Sequence, residues 1–115
     1  MYGTDWMQRR ELLTPNRVAL VDVGAGRRYT YRQINHRANR LAHALQDRFQ
    51  VRRGDRMAIL SMNCAEFLEV LFAAAKIGAT LVPLNNRLVV RSATFLPFSH
   101  RKDLLHNLLS RQRFF

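Results

Sequence analysis

Lysine is almost missing from this chain: only Lys76 and Lys102 occur among its 19 basic residues, and the others are arginine. Acid is scarce too, with 8 Asp and Glu residues, so the formal net charge is +11. Such an excess invites a nucleic-acid or anionic-membrane partner, because basic side chains neutralise phosphates. The arginines are scattered from Arg9 to Arg113 instead of forming one block, which argues against nucleic acid as the partner. A single cysteine, Cys64, excludes an internal disulfide and fits a reducing cytoplasm, so a packed thiol is expected. The opening Met1-Tyr-Gly-Thr-Asp-Trp6 lacks a basic stretch followed by an apolar run, so no signal peptide is expected. The longest apolar run, Val70 to Ala75, is far short of the roughly 20 residues that span a bilayer, so no transmembrane helix is expected. The expected location is cytoplasmic.

What is present suits one globular domain. Hydrophobic residues make up 48% and charged residues 23% of the 115, which argues against a disordered or fibrous chain. A chain of this size buries roughly two thirds of its unfolded surface.

Val18-Ala-Leu-Val-Asp-Val23 and Arg28-Tyr-Thr-Tyr31 are short runs rich in β-branched and aromatic residues, split by Gly24-Ala-Gly26-Arg27. They predict a β-hairpin. A Gly-x-Gly phosphate loop is the sharper reading of the same glycines, but no third glycine follows and no helix opens from them. Thr30 and Gln33 have the spacing of a capping box, so a helix is expected to start there. Ile34, Ala38, Leu41, Ala42, Leu45 and Phe49 fall on one helical face, with Arg32, His36, Arg40, His43 and Asp47 opposite. His36 and His43 lie about 10 Å apart along such a helix, too far to share a metal ion, and are read as solvated.

Arg53-Gly54-Asp55 spells an integrin-type tripeptide but sits where a turn is needed, and is read as that turn. Met57-Ala-Ile-Leu60 has the continuous apolar pattern of a strand covered on both faces. Asn63 and Glu66 repeat the cap signature, predicting a helix from about Cys64 to Ile77, which Gly78 stops. Apart from Glu66, Glu69 and Lys76 this helix is apolar round most of its circumference, so it must be packed on more than one side. Thr80-Leu-Val-Pro-Leu84 follows as another strand, completing a parallel βαβ crossover of the right-handed kind. Pro83 has no N–H to donate, which places it at a strand end, an edge or a bulge. After Leu88 the pattern changes. Val89 to Phe98 has no clear period, and Ser99 to Phe115 reads as an irregular end or a short basic helix carrying Leu104, Leu105, Leu108 and Leu109. A basic amphipathic end could also lie on an anionic membrane, the less favoured reading.

Three separated segments occur in an order that can be named. Arg28-Tyr-Thr-Tyr-Arg-Gln-Ile-Asn35, Val51-Arg-Arg-Gly-Asp-Arg-Met-Ala-Ile-Leu60 and Ala73-Ala-Ala-Lys-Ile-Gly-Ala-Thr-Leu-Val-Pro-Leu-Asn85 resemble the first core motif, the following strand entry and the second core motif of one family. Together with Thr14 to Asp22 they resemble the N-terminal part of AMP-dependent synthetases and ligases, the superfamily of acyl-CoA synthetases, peptide-synthetase adenylation domains and luciferases. The ending Pro83-Leu-Asn-Asn-Arg-Leu88 looks more like the fatty-acyl-CoA branch. The resemblance covers about residues 5 to 88 and implies an α/β fold, namely the N-terminal part of the large domain of an adenylate-forming enzyme: a β-hairpin plus a βαβ crossover, with an irregular or helical C-terminal tail.

For a complete family enzyme the resemblance implies activation of a carboxylic acid with ATP and Mg to an acyl adenylate, then transfer to coenzyme A. It implies a Ser/Thr/Gly-rich phosphate loop, an adenine pocket, an acidic ribose ligand and a C-terminal lysine, groups that stabilise the charged transition state. No Ser-Gly-Thr-Thr-Gly-like loop occurs in the chain, and neither Lys76 nor Lys102 matches the lysine's motif. No catalytic, cofactor-binding or metal residue is therefore carried over, and no cofactor is expected for this chain alone. The expectation is a partial synthetase domain over 1–88 and a divergent basic tail over 89–115, as a frameshifted or truncated gene would give. The missing portion of the same enzyme is then a partner, alongside the acid, ATP and CoA. The other reading is a nonenzymatic basic module for nucleic acid or anionic lipid.

Overall fold

The hairpin residues pair as the sequence predicts, and of them only Tyr29 is fully buried. In the computed structural model, which describes residues 5–61 and 63–84, β1 (Val18–Asp22) runs antiparallel to β2 (Arg27–Thr30), with an irregularity between Val18 and Leu20. The Gly24–Gly26 segment is the hairpin turn, not a phosphate loop: the Asp22 carboxylate accepts the Ala25 N–H at 3.0 Å.

The α2 helix (Tyr31–Phe49) starts on the expected capping box. The Gln33 N–H donates to the Thr30 hydroxyl at 3.2 Å, and the Gln33 side chain accepts the Thr30 N–H at 2.8 Å. Removing the hydroxyl with Thr30→Ala is expected to cost about 1 kcal/mol of stability, read as a lower urea midpoint at unchanged slope. Ile34, Ala38, Ala42 and Leu45 are buried and Arg32, His36, Arg40, His43 and Asp47 are exposed, as their helical spacing requires.

The β3 strand (Arg56–Leu60) pairs in parallel with β4 (Thr80–Leu84), and α3 (Ala65–Ile77) connects them. Two loops prepare this pairing. Gly54, at φ 82, donates its N–H to the Gly78 carbonyl at 2.9 Å, and Thr80 donates to the Asp55 carbonyl at 2.7 Å. Arg53-Gly54-Asp55 is thus a turn tied to the end of α3. Gly78 closes α3 in the left-handed conformation, φ 75, where a Cβ would be strained. Pro83 lies opposite Ile59 in a strand with one paired edge among the described residues, which spares the missing N–H.

Two expectations need correction. The cap of α3 is Cys64, not Asn63, and its side chain makes no capping bond. An acceptor comes instead from the hairpin, where Asp22 Oδ2 lies 3.4 Å from the Ala65 nitrogen. The β3 strand is also less evenly covered than its apolar run suggests. Met57 and Ile59 are buried, whereas Ala58 and Leu60 on the other face are half-buried and Arg56 is exposed.

One element has no counterpart in the sequence reading. The helix α1 (Trp6–Leu13) is capped by Asp5, whose Oδ1 accepts the Gln8 N–H at 3.0 Å. It buries only Met7. Two apolar clusters make the interior. One joins Ala42 and Leu45 of α2 to Val51, Met57, Ile59 and the α3 residues Val70, Ala73, Ala74 and Ile77. The other joins Met7, Tyr29, Ile34 and Ala65. Both α2 and α3 contribute to each cluster, so these two helices are the spine of the molecule. Residues beyond Leu84, including the divergent tail and Lys102, lie outside the described residues.

Candidate functional site

The polar residues of α3 point to where chemistry could be sought, and each of them is engaged in a bond to another element. Glu66 accepts a hydrogen bond from the Arg27 guanidinium at 3.0 Å. Glu69, buried, is bonded by Arg37 Nε. Lys76 Nζ lies 2.7 Å from Asp5 Oδ2, with both side chains less than a tenth exposed, at 9% and 8%. Between the first two pairs lies the Tyr29 ring, with the Arg27 and Arg37 guanidinium carbons 5.8 and 5.3 Å from its centroid. The face of an aromatic ring attracts cations, so Tyr29 adds to the placement of both arginines.

These bonds shift the ionisation of their members. Burial pushes the Glu66 carboxyl up, but bonds from its own backbone amide and from the Arg27 side chain outweigh it and hold the group below the usual carboxylate range. A depressed carboxyl stabilises the fold above its unfolded-state pKa, and that contribution fades as pH falls through the folded value. The hydrogen bond to Glu69 raises Arg37, against a smaller opposing effect of burial.

A cavity of about 460 Å³ opens between the hairpin and the start of α3. Its walls are mostly apolar, including Leu20, Phe67 and Leu68, and its polar members include Asp22, Asn63 and Cys64. Nucleotide phosphates do not fit this chemistry. The N-terminus of a helix is a natural anion site, yet here the Asp22 carboxylate already faces the Ala65 amide, and a second anion would meet like charge. The Cys64 thiol is partly buried, 3.6 Å from the Ser61 hydroxyl.

The two histidines stay apart, as their spacing requires. His36 Nε2 is 3.4 Å from Glu11 Oε1, and the Glu11 carboxylate is also bonded by the Asn35 amide. No group of three metal-ligating side chains occurs among the described residues. Lys76 is bonded to Asp5, which ties the last turn of α3 to the start of α1. None of the described helices is long and apolar enough to cross a membrane.

The sequence reading missed Asp5 and Glu11, which fasten α1. Asp5 reaches the last turn of α3, while Glu11 reaches Arg32, Asn35 and His36 at the start of α2. A signal for Asp5 was present, since Asp5 and Gln8 have the cap-to-N3 spacing.

Comparison with known proteins matches this architecture. The long-chain-fatty-acid–CoA ligase FadD13 of Mycobacterium tuberculosis is 38% identical over 97 residues, 84% of this chain and 19% of that protein. The acyl-CoA ligase sidI of Beauveria bassiana is 44% identical over 84 residues, 72% of this chain and 14% of that one. The chain thus spans less than a fifth of the length of these curated relatives. Among solved structures, the N-terminal domain of FACL13 from Mycobacterium tuberculosis superposes with a TM-score of 0.76 at 38% identity, covering 83% of this chain and 24% of that one. The o-succinylbenzoate CoA synthetase of Bacillus subtilis, in complex with its acyl-adenylate intermediate, gives 0.72 at 31% identity, with coverage of 78% and 23%. Residues 7–96 match the family described as AMP-binding enzyme, so the mixed α/β chain with its hairpin, two-helix spine and parallel strand pair belongs to that family.

Proposed function

We propose that this chain is the amino-terminal scaffold of an acyl-CoA synthetase and does not by itself activate a carboxylic acid. The observation that supports this reading is the engagement of Glu66, Glu69 and Lys76 of α3 in bonds to Arg27, Arg37 and Asp5. These three residues hold elements together, and none of them is left free to act as a reacting group. Residues 1–88 are the partial synthetase domain, and 89–115 are a basic tail of separate character. The complete enzyme takes a fatty acid, ATP with Mg, and coenzyme A in the cytoplasm. Its phosphate loop, adenine pocket and catalytic lysine come from polypeptide outside these 115 residues. The names of the relatives, all CoA ligases, support the acid-thiol ligase class.

The test is ATP–pyrophosphate exchange by the purified 115-residue chain with long-chain fatty acids. No exchange above a protein-free blank is expected. Sustained, acid-dependent exchange that co-purifies with the chain would show that it holds a complete adenylation site and overturn the reading.

A further inference from the structure

The two ends of α1 are joined to the rest of the molecule in unlike ways. At the C-terminal end the chain runs into a loop that α2 holds by backbone bonds, the Pro15 and Arg17 carbonyls accepting the Arg32 and Tyr31 N–H groups, each at 3.1 Å. Glu11 reinforces that end, since its carboxylate meets Arg32, Asn35 and His36 in the first turns of α2. The N-terminal end reaches the last turn of α3 through Asp5 Oδ2 and Lys76 Nζ, 2.7 Å apart. Between the two, Met7 is the one buried residue of α1, seated on Tyr29, Ile34 and Ala65.

The Asp5–Lys76 contact has the character of a latch. Both side chains are nearly dry, so a small separation takes away their attraction before water can replace it, and part-open arrangements are unfavourable. Fully apart, each charge recovers its hydration. The pair is therefore either closed or open. The same carboxylate couples the latch to the helix, because Oδ1 caps α1 through the Gln8 N–H at 3.0 Å while Oδ2 meets Lys76. Once released, the eight residues of α1 are too few to stay helical, since isolated helices shorter than roughly 12–15 residues are marginal in water. The larger apolar cluster of α2, α3 and β3 contains no residue of α1, so the core does not require it.

We propose that α1 is a strap that opens as one unit while the α2–α3 core stays folded, hinged at residues 14–17 and latched by the Asp5–Lys76 pair. Opening bares Lys76 and the seat of Met7. Segments held by few buried apolar contacts supply the low-energy local openings of a protein.

Amide hydrogen exchange of the 115-residue chain, followed residue by residue by NMR under conditions where the rate reports the opening equilibrium, tests the strap. The Arg9 and Thr14 N–H groups, bonded to the Asp5 and Arg10 carbonyls, mark the two ends of α1. They are expected to share one opening constant, at least about tenfold larger than that of the Ala42 amide in α2, with little dependence on low urea because little surface is exposed. Leu45→Ala separates strap from core. It should speed exchange at Ala42 by about a hundredfold and leave Arg9 and Thr14 unchanged, since Leu45 stays packed when the strap opens. Lys76→Met should raise the opening constant of α1 at least about a hundredfold, and Lys76→Arg, which keeps the charge, should raise it less.

If Leu45→Ala speeds Arg9 and Thr14 as much as Ala42, α1 opens only when the whole molecule unfolds, and the proposal is overturned. Opening constants graded along α1 would overturn it too, because they describe fraying from one end. Indifference of α1 to Lys76→Met would remove the latch, and joint exchange of the Tyr31 and Arg32 amides with α1 would remove the hinge. Should Leu45→Ala fail to fold, urea dependence in the unaltered chain decides: a slope at Arg9 and Thr14 equal to that at Ala42 means global unfolding and sinks the strap.

Discussion

Replacing Leu45 with alanine is expected to cost about 3 kcal/mol of folding free energy, within the roughly 2–5 kcal/mol range of buried leucine truncations. Leu45 is 0% exposed and sits among Met57, Ile59, Val70 and Ile77, where α2 meets α3 and β3. Its neighbours belong to three different elements that are fixed by their own backbone bonds, so the space left behind cannot readily close. The large value depends on that rigidity, since a site that collapses loses only the transfer free energy. A domain of this size has a total stability of roughly 5–15 kcal/mol, so the substitution removes a large part of it and lowers the melting temperature by roughly 10–20 °C. Leu45→Met keeps the volume and should cost less than about 1.5 kcal/mol. Thermal and urea unfolding followed by circular dichroism measure both variants. A loss for Leu45→Ala no greater than that for Leu45→Met would show that this seam is not the closely packed core described above.

Lys76→Met is expected to cost about 3–5 kcal/mol, because it removes one member of a buried ion pair and leaves the other charge without compensation. The Lys76 ammonium lies 2.7 Å from Asp5, and water reaches little of either side chain, with exposures of 9% and 8%. The pair joins the start of α1 to the last turn of α3, so the damage should concentrate in α1, which buries only Met7 of its own. Trp6, the single tryptophan, reports it as a fall in steady-state fluorescence anisotropy. Adding Asp5→Asn separates the charge from the cap, because asparagine can still accept the Gln8 N–H. The double variant D5N/K76M should be more stable than K76M alone, since no uncompensated charge remains. Additive losses across the cycle would show that the two groups do not interact.

The element types were readable from local pattern, and the failures share one cause. Thr30 and Gln33 announced α2, its apolar period announced the buried face, and Gly78 announced the end of α3, because each signal acts within a few residues. The α1 helix carries almost no such period. Its single buried residue is Met7, and its two fastening acids are bonded to residues of other helices. Only the Asp5–Gln8 spacing hinted at it. The cap of α3 was misread for the same reason, since Asn63 had the right type and spacing, while the acceptor actually near the Ala65 amide is Asp22, 43 residues earlier.

The sequence by itself determined the family and the order of strands and helices from the hairpin to β4, because capping, helical period and turn residues are short-range chemistry and the family segments follow one another in order. Only the tertiary structure decided what the polar strip of α3 does. Glu66, Glu69 and Lys76 look alike in sequence as a hydrophilic edge on an apolar helix. Their partners are 39, 32 and 71 residues away, and no local pattern encodes such distances. Packing α3 against α2 and the start of α1 removed most water from Glu69 and Lys76, and charges shielded from water require partners, whereas the Glu66–Arg27 pair stays at the surface.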